Sequence, residues 1–286
     1  MSVQHALLPD GRLHLQHGPI DLVIGADGPA REVRLAYSQA SEAFEGLLAA
    51  LVLELPILRA PIGEALPALA HPAARRMAAA VHPFRGLYVT PMAAVAGSVA
   101  DHVLAALTQG RALDKAYVND GGDIAFHLTP GACFRAGVVS DLRDPVLSGL
   151  AEIPYESPVR GIATSGRDGR SFSLGIADSV TVLAATAAQA DAAATLIGNA
   201  VDLPGHPAIR RAPARSIDPD SDLGSLSVTL KVGALSESEI ETALESGLDR
   251  AQALREAGHI SAAMLSLRAR VRLCGAPHIP EMLETP

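Results

Sequence analysis

Aromatic residues are scarce in this chain. Tryptophan is absent, and aromatic side chains make up only 3% of 286 residues. A groove that stacks the bases of single-stranded nucleic acid needs such rings, so that class of function is disfavoured. Cysteine is equally sparse. Cys133 and Cys274 form no CxxC pair, and no Cys/His cluster has zinc-ligand spacing, which leaves two reduced thiols in or near a core. Positive charge is also short: 23 Lys and Arg against 31 Asp and Glu give a net charge of −8. Such a surface repels a phosphate backbone, so no nucleic-acid partner is expected. One local phosphate site is still open to it, because backbone N–H groups or a metal can supply the positive field. The start MSVQHALLPDGRLH has no basic region followed by an apolar run. No run approaches the ~20 apolar residues of a membrane span. The expectation is a soluble, cytoplasmic protein with no membrane partner.

Several catalytic signatures are missing too. There is no HExxH pair and no Gly-x-Ser-x-Gly elbow. Gly161 to Arg167 has the glycine spacing of a P-loop, but Arg167 and Asp168 stand where Lys and Ser/Thr are required. Asp218, Asp220 and Asp222 begin like a calcium loop, yet Leu223 replaces its Gly and Thr229 its Glu.

What is present reads as α+β, with mostly antiparallel sheets covered by helices. Residues 1–274 are expected to form one domain, or two tightly joined lobes, and 275–286 a Pro-containing tail. Residues 12–35 read as β structure: LHLQHG, IDLVIG and REVRLAY, the last two joined through the Asp27-Gly28 turn signal. Phe44, Leu47, Leu48, Leu51 and Leu55 predict a helix from about Ser38 to Leu55. A second helix spans about Met92 to Leu107. KAYVNDGGDIAFHL reads as a hairpin, CFRAGVV as a strand and DLRDPVLSG as a loop. PVRGIAT and SFSLG read as strands, DSVTVLAAT as a buried strand, and Ala187 to Val201 as a helix. PGHPAIRRAPARSIDPDSDLG is the best candidate for a mobile surface loop. Ser236 and Glu239 form a capping box that opens a helix to about Ala257. ISAAMLSLRARVRL closes the chain as one long strand, with Arg268, Arg270 and Arg272 on its solvated face.

Four short motifs could carry chemistry. Asp191 and Thr195 lie four apart on the Ala-rich helix, so a carboxylate and a hydroxyl share one face. Two such oxygens could ligate Mg²⁺; the plainer reading is an Asp near a helix start and a Thr bonded backward to a carbonyl. Asn119, Asp120, Gly121, Gly122 and Asp123 could present N–H groups and a carboxylate to a ligand, or form an ordinary hairpin turn. Thr164, Ser165 and Gly166 could bind phosphate oxygens, or form a polar turn. Ala96, Gly97 and Ser98 permit close approach of a backbone or a ligand.

The order of these motifs resembles the ApbE-like superfamily. The resemblance rests on a small-residue helix ending in Ala-Asp, then Asn-x-Gly-Gly-Asp-Ile, Ala-Thr-Ser-Gly, Ser-Val-Thr-Val-Leu-Ala and Ala-Asp-Ala-x-Ala-Thr, over about Ala94 to Val201. The flanking residues look more like an uncharacterised bacterial and archaeal branch. Founding members of the superfamily are Mg²⁺-dependent FAD:protein FMN transferases, which move FMN from FAD onto a Thr or Ser of an acceptor flavoprotein and release AMP. By that likeness Asp191 and Thr195 would be the Mg²⁺ ligands. Gly97 and Ser98 would lie near the ion, and Asn119, Gly121, Gly122 and Asp123 would line the flavin-nucleotide pocket, edged by Thr164, Ser165 and Gly166. The implied cofactors are Mg²⁺ and FAD or FMN, and the implied partner is an acceptor protein. An Ala-rich surface helix would in addition support a homodimer. Two departures stand out. The transferases carry a His and an Asp-Pro-x-Thr-Gly segment where this chain has only RDGRSFSLGIAD, and Ala96 replaces their Lys. Asp123, Asp168 and Asp178 are the candidates for a base in an active enzyme. The alternative is a flavin- or nucleotide-binding or regulatory protein that kept the pocket and lost the transfer chemistry.

Overall fold

The computed structural model describes residues 3–139 and 147–275. The expected tail beyond Gly275 and the DLRDPV part of the expected loop lie outside the described residues. In chain order the elements are β1 (Gln4–Leu7), β2 (Leu13–His17), β3 (Ile20–Asp27), α1 (Ala30–Phe44), α2 (Leu47–Leu53), α3 (Leu55–Leu58), α4 (Pro72–Val81) and α5 (Val95–Thr108). Strands β4 (Lys115–Asp120), β5 (Asp123–Leu128), β6 (Cys133–Val139), β7 (Leu147–Pro154), β8 (Gly161–Ser165) and β9 (Ser179–Ala184) follow. The chain continues with α6 (Ala187–Ala200), β10 (Ile209–Pro213), β11 (Ser227–Val232), α7 (Glu237–Glu256), β12 (Ala262–Leu267) and β13 (Arg270–Cys274). Mixed helices and antiparallel sheet were the expectation, and they are what the chain forms.

Two compact units divide the chain. The first holds Met1–Phe134, Ile153–Ala163 and Ala184–Ala192; the second holds Arg135–Glu152, Thr164–Leu183 and Ala193–Pro286. In the first unit the strands pair in the order β1-β2-β3-β4-β5-β8, every neighbour antiparallel. Alternation sets the buried face: Leu13 and Leu15 on β2, Leu22 and Ile24 on β3, and Ala116 and Val118 on β4 point to one side. Helix α5 packs on β4 and β5 through Val99, Ala100, Val103 and Leu107, and α1 packs on α5. Phe126 and Phe134 stack with centroids 4.4 Å apart. Helix α5 with the turn before it, Pro91–Thr108, is the one segment among the described residues long and apolar enough to cross a membrane. Eight of its residues are buried.

The second unit contains the antiparallel ribbon β9-β12-β13, the pair β10-β11 and the pair β6-β7. Every residue of β9 is buried, Ser179 and Thr181 included. Helix α7 covers β12 and β13 with Ile240, Ala243, Leu244, Ala251 and Leu254. The capping box forms: Ser236 Oγ accepts from the Glu239 N–H, and Glu239 Oε2 accepts from the Ser236 N–H. Ser236→Ala should therefore cost about 1 kcal/mol, read as a lower urea midpoint at unchanged slope.

Five sequence expectations are corrected. REVRLAY is helical, not a strand. Its apolar alternation also fits a 3.6-residue period, and Ala36, Ala40 and Phe44 form the buried stripe of α1. The single helix expected to Leu55 breaks at Glu45-Gly46, where Gly46 has φ 76. SFSLG pairs with no strand; two of its amides are satisfied by side chains, Leu174 N–H by Asn199 Oδ1 and Gly175 N–H by Ser173 Oγ. The long closing strand is a hairpin. Arg268 and Ala269 turn it with φ 52 and 61, a left-handed pair that neither residue type signals. The expected surface loop contains β10, held by Arg211, which pairs with Asp202 and donates to the Leu174 carbonyl.

A histidine pair adds a pH response to the first unit. His102 on α5 meets His71 edge-to-face, centroids 5.0 Å apart. Burial, reinforced by the positive charges of His71 and Arg76, pushes His102 down to about 4. The folded state thus holds the ring neutral while the unfolded chain protonates it near its ordinary value. Stability is complete above the unfolded value and falls as pH drops from about 7 toward 4. Thermal melts across that window should show the decline, and His102→Gln should flatten it.

Candidate functional site

The first unit brings together the beginnings of two helices. Asp191, in the second turn of α6, reaches the first turn of α5, where its Oδ2 accepts from the Gly97 N–H at 3.0 Å. In return Asp101 of α5 accepts from the first two amides of α6, Ala187 N–H at 3.2 Å and Ala188 N–H at 2.9 Å. Each helix start is closed by a carboxylate of the other, which satisfies orphan donors and places negative charge at two positive dipole ends. This contact is why position 97 is glycine. A Cβ there would stand 2.3 Å from the Ala187 carbonyl oxygen. Ser98 beside it is fully buried, and its Oγ has no hydrogen-bond partner.

The β4–β5 hairpin adds two more carboxylates. Gly121 and Gly122 form its two-residue loop with φ 64 and 113, the positive pair a type I′ turn requires. Asn119 Oδ1 accepts from the Gly122 N–H at 2.8 Å, so the turn reading of Asn119 is realised. Asp120 and Asp123 face each other across the loop, and both are buried. Asp123 lies within hydrogen-bonding reach of Asp191, an interaction that favours the Asp191 carboxylate. Burial pushes the Asp191 carboxyl up to about 7; the Gly97 N–H opposes the shift and the charge of Asp120 adds to it.

These residues suit a hard divalent cation. The donors are all oxygen, the local charge is negative, and a proton held near neutrality is one a cation can displace. Among the described residues no group of three or more His, Cys, Asp or Glu side chains is arranged to hold a metal by itself. A cation at Asp191 would complete its coordination with phosphate oxygens and water, as Mg²⁺ commonly does. Thr195 lies one turn further along α6 and is partly exposed.

The remaining sequence candidates lie in the second unit. Thr164 Oγ1 is 2.9 Å from Thr181 Oγ1 on the neighbouring strand, Ser165 is partly exposed and Gly166 is buried. Asp168 pairs with Arg167 Nε at 3.2 Å. Asp178 is buried, pairs with Arg167 Nη2 at 2.6 Å and accepts from the Arg268 N–H of the left-handed turn. Arg268 also donates through Nη2 to the carbonyls of Val232 and Gly233. This carboxylate holds a strained hairpin in place.

One residue of the first unit escapes the sequence reading. Asp101 is visible only as the end of a small-residue helix. Its signal is a single carboxylate on an otherwise apolar stretch, VAGSVADHVLAAL. Asp120 belongs to the expected ligand-facing or turn motif, and the pairing of β4 with β5 sets it opposite Asp123.

Comparison with known proteins gives a family and distant structural likenesses. The family model described as "AbpE bacteria" matches residues 5–273. A UPF0280 protein of Methanothrix thermoacetophila is 40% identical over 116 residues, covering 40% of this chain and 47% of that protein. One from Methanopyrus kandleri is 38% identical over 126 residues, covering 44% and 48%. The chain thus spans about half the length of the curated relatives it matches. The apo flavinyl transferase ApbE of Pseudomonas stutzeri aligns over 96% of this chain and 94% of its own at 12% identity, with a TM-score of 0.44. The flavin transferase ApbE of Vibrio cholerae aligns over 96% and 97% at 13% identity, with a TM-score of 0.40.

Proposed function

Because this chain belongs to the AbpE bacteria family, within the ApbE-like superfamily, we propose that it binds a flavin nucleotide together with Mg²⁺ and transfers FMN from FAD to a hydroxyl of an acceptor protein. The observation that supports this reading is the Asp191 carboxyl held by the Gly97 N–H at the first turn of α5, with Asp123 beside it. Asp191 and Thr195 are the proposed ligands. Mg²⁺ would supply positive charge against the pyrophosphate and ease departure of AMP. The Gly97 N–H fixes the Asp191 carboxylate, leaving its other oxygen for the ion. Gly121 and Gly122 keep the hairpin tip free of side chains where a nucleotide would approach, and Ser98 Oγ is an unused donor within the same helix turn. Asp123 is the proposed base: it would take the proton of the acceptor hydroxyl as that oxygen bonds the FMN phosphorus and the bond to AMP breaks.

The test is incubation with FAD, Mg²⁺ and flavoprotein acceptors carrying a Thr or Ser target, with AMP followed by chromatography. AMP release that stops on chelation supports transfer. A second reading rests on the segment between β8 and β9. It contains no His, and its carboxylates Asp168 and Asp178 both pair with Arg167. A non-catalytic flavin carrier or regulatory protein would bind FAD and yield no AMP over hours. Failure to bind any nucleotide would remove both readings.

A further inference from the structure

We propose that Asp101 is a positioning residue, whose carboxylate sets the start of α6 and thereby aims Asp191 at the first turn of α5. The inference rests on the reading of Asp191 as the site's ligand, but its geometry stands on observed contacts. The first amides of α6 have no partner within their own helix. Asp101 takes two of them in a bidentate grip, Ala187 N–H on Oδ1 and Ala188 N–H on Oδ2. The ordinary cap of the same helix is Thr186, whose Oγ1 accepts from the Gln189 N–H at 3.2 Å while its hydroxyl also donates to Asp101. Helix α6 would therefore keep a cap without Asp101. What it would lose is its attachment to α5.

That attachment decides where Asp191 points. Asp191 lies three residues beyond Ala188, and its hydrogen bond goes to Gly97, four residues before Asp101 on α5. The two bonds form a closed loop: α5 holds α6 through Asp101, and α6 holds α5 through Asp191. Within that loop the helices cross so closely that Gly97 has no room for a Cβ. Loosening one bond lets the helices slide, and a shift of well under an ångström is enough to break a 3.0 Å hydrogen bond at the other end. Asp101 is partly buried, and burial pushes its carboxyl up while the two amides pull it back.

The test compares Asp101→Asn with Ser236→Ala by amide hydrogen exchange. Asn offers a single acceptor oxygen and turns an NH₂ toward one of the two donors. The expected result for Asp101→Asn is roughly tenfold loss of protection at the Gly97 amide beyond any change at Val118 in the core strand β4. Ser236→Ala should leave Gly97 unchanged, because it removes the cap of α7 without touching the loop. If Asp101→Asn exposes Ala187 and Ala188 while Gly97 keeps its protection, Asp101 is a local cap only and the proposal is overturned. Should Asp101→Asn fail to fold, Asp101→Ser, which retains one acceptor, is read by the same criterion. Mn²⁺ titration followed by electron paramagnetic resonance separates the two levels. A wild type that binds no Mn²⁺ contradicts the ligand reading of Asp191 and leaves the exchange result standing. A wild type that binds, with Asp101→Asn binding equally well, contradicts the positioning role.

Discussion

Asp191→Asn is expected to weaken FAD binding in the presence of Mg²⁺ on the order of 100-fold, while chelation of the variant changes nothing further. The reason lies in the two jobs of this carboxylate. One oxygen accepts from the Gly97 N–H, and an amide oxygen can do the same. The other job needs charge. The carboxyl group stays protonated up to about 7 because it is buried and faces Asp120, and a divalent cation gains most by displacing that proton. Asn keeps the volume and the cap but cannot carry the charge. Its melting temperature should therefore stay near that of the wild type, whereas Asp191→Ala should lose both the cap and the binding. Isothermal titration with FAD, with and without Mg²⁺, reads the effect directly. Asparagine binding as tightly as aspartate would remove the ion from this residue.

Gly97→Ala should be among the most damaging single methyl groups in the first unit. The added carbon would meet a backbone oxygen at 2.3 Å, with the carbonyl carbon and the next amide nitrogen at 2.5 and 2.8 Å. None of these is the end of a flexible side chain, so relief requires moving α5 away from α6. Overpacking of that kind costs about 3 kcal/mol, and a backbone displacement places it at the upper end of the usual range. The melting temperature should fall by roughly 6–12 °C. The same displacement stretches the Asp191–Gly97 bond, so metal-linked FAD binding should weaken beyond the loss of stability. A variant that melts like the wild type would mean that the two helix starts are not in contact.

Much of this architecture is legible in the sequence, and the parts that are not have definite physical causes. The β4–β5 hairpin is announced by Asn119-Asp120-Gly121-Gly122-Asp123, because only glycine readily takes two positive φ values in a row. Strand β9 follows from the β-branched Val180, Thr181 and Val182, and helix α6 from its alanines. The capping box announces α7 to the residue. The β12–β13 turn is hidden because Arg268 and Ala269 take a conformation their side chains disfavour. It is held by Asp178, which lies 90 residues earlier in the chain. REVRLAY is ambiguous because a short alternating stretch fits both periods, and only the continuation to Phe44 decides.

The site divides in the same way. Asp191, Gly97 and Asp123 could be picked out by type and order. That Asp191 bonds Gly97 and lies beside Asp123 is a tertiary fact. The reciprocal grip of Asp101 has no local signature at all, since its partners are plain backbone amides of two alanines. Asp178 shows the opposite outcome. As a lone acidic residue before a buried strand it invited a catalytic reading, and in the fold it braces a strained turn. The absence of a histidine between β8 and β9 is written in the sequence, and it alone keeps the binding-only reading alive beside the transferase.

The measurement that reaches the central claim most directly is an FAD titration of the purified wild-type protein in Mg²⁺ and again in EDTA, with Asp191→Asn alongside. Binding by the wild type that is at least about tenfold tighter in Mg²⁺, and an asparagine variant indifferent to the metal, is the predicted outcome. Equal affinity under all four conditions, or no binding under any, would contradict it.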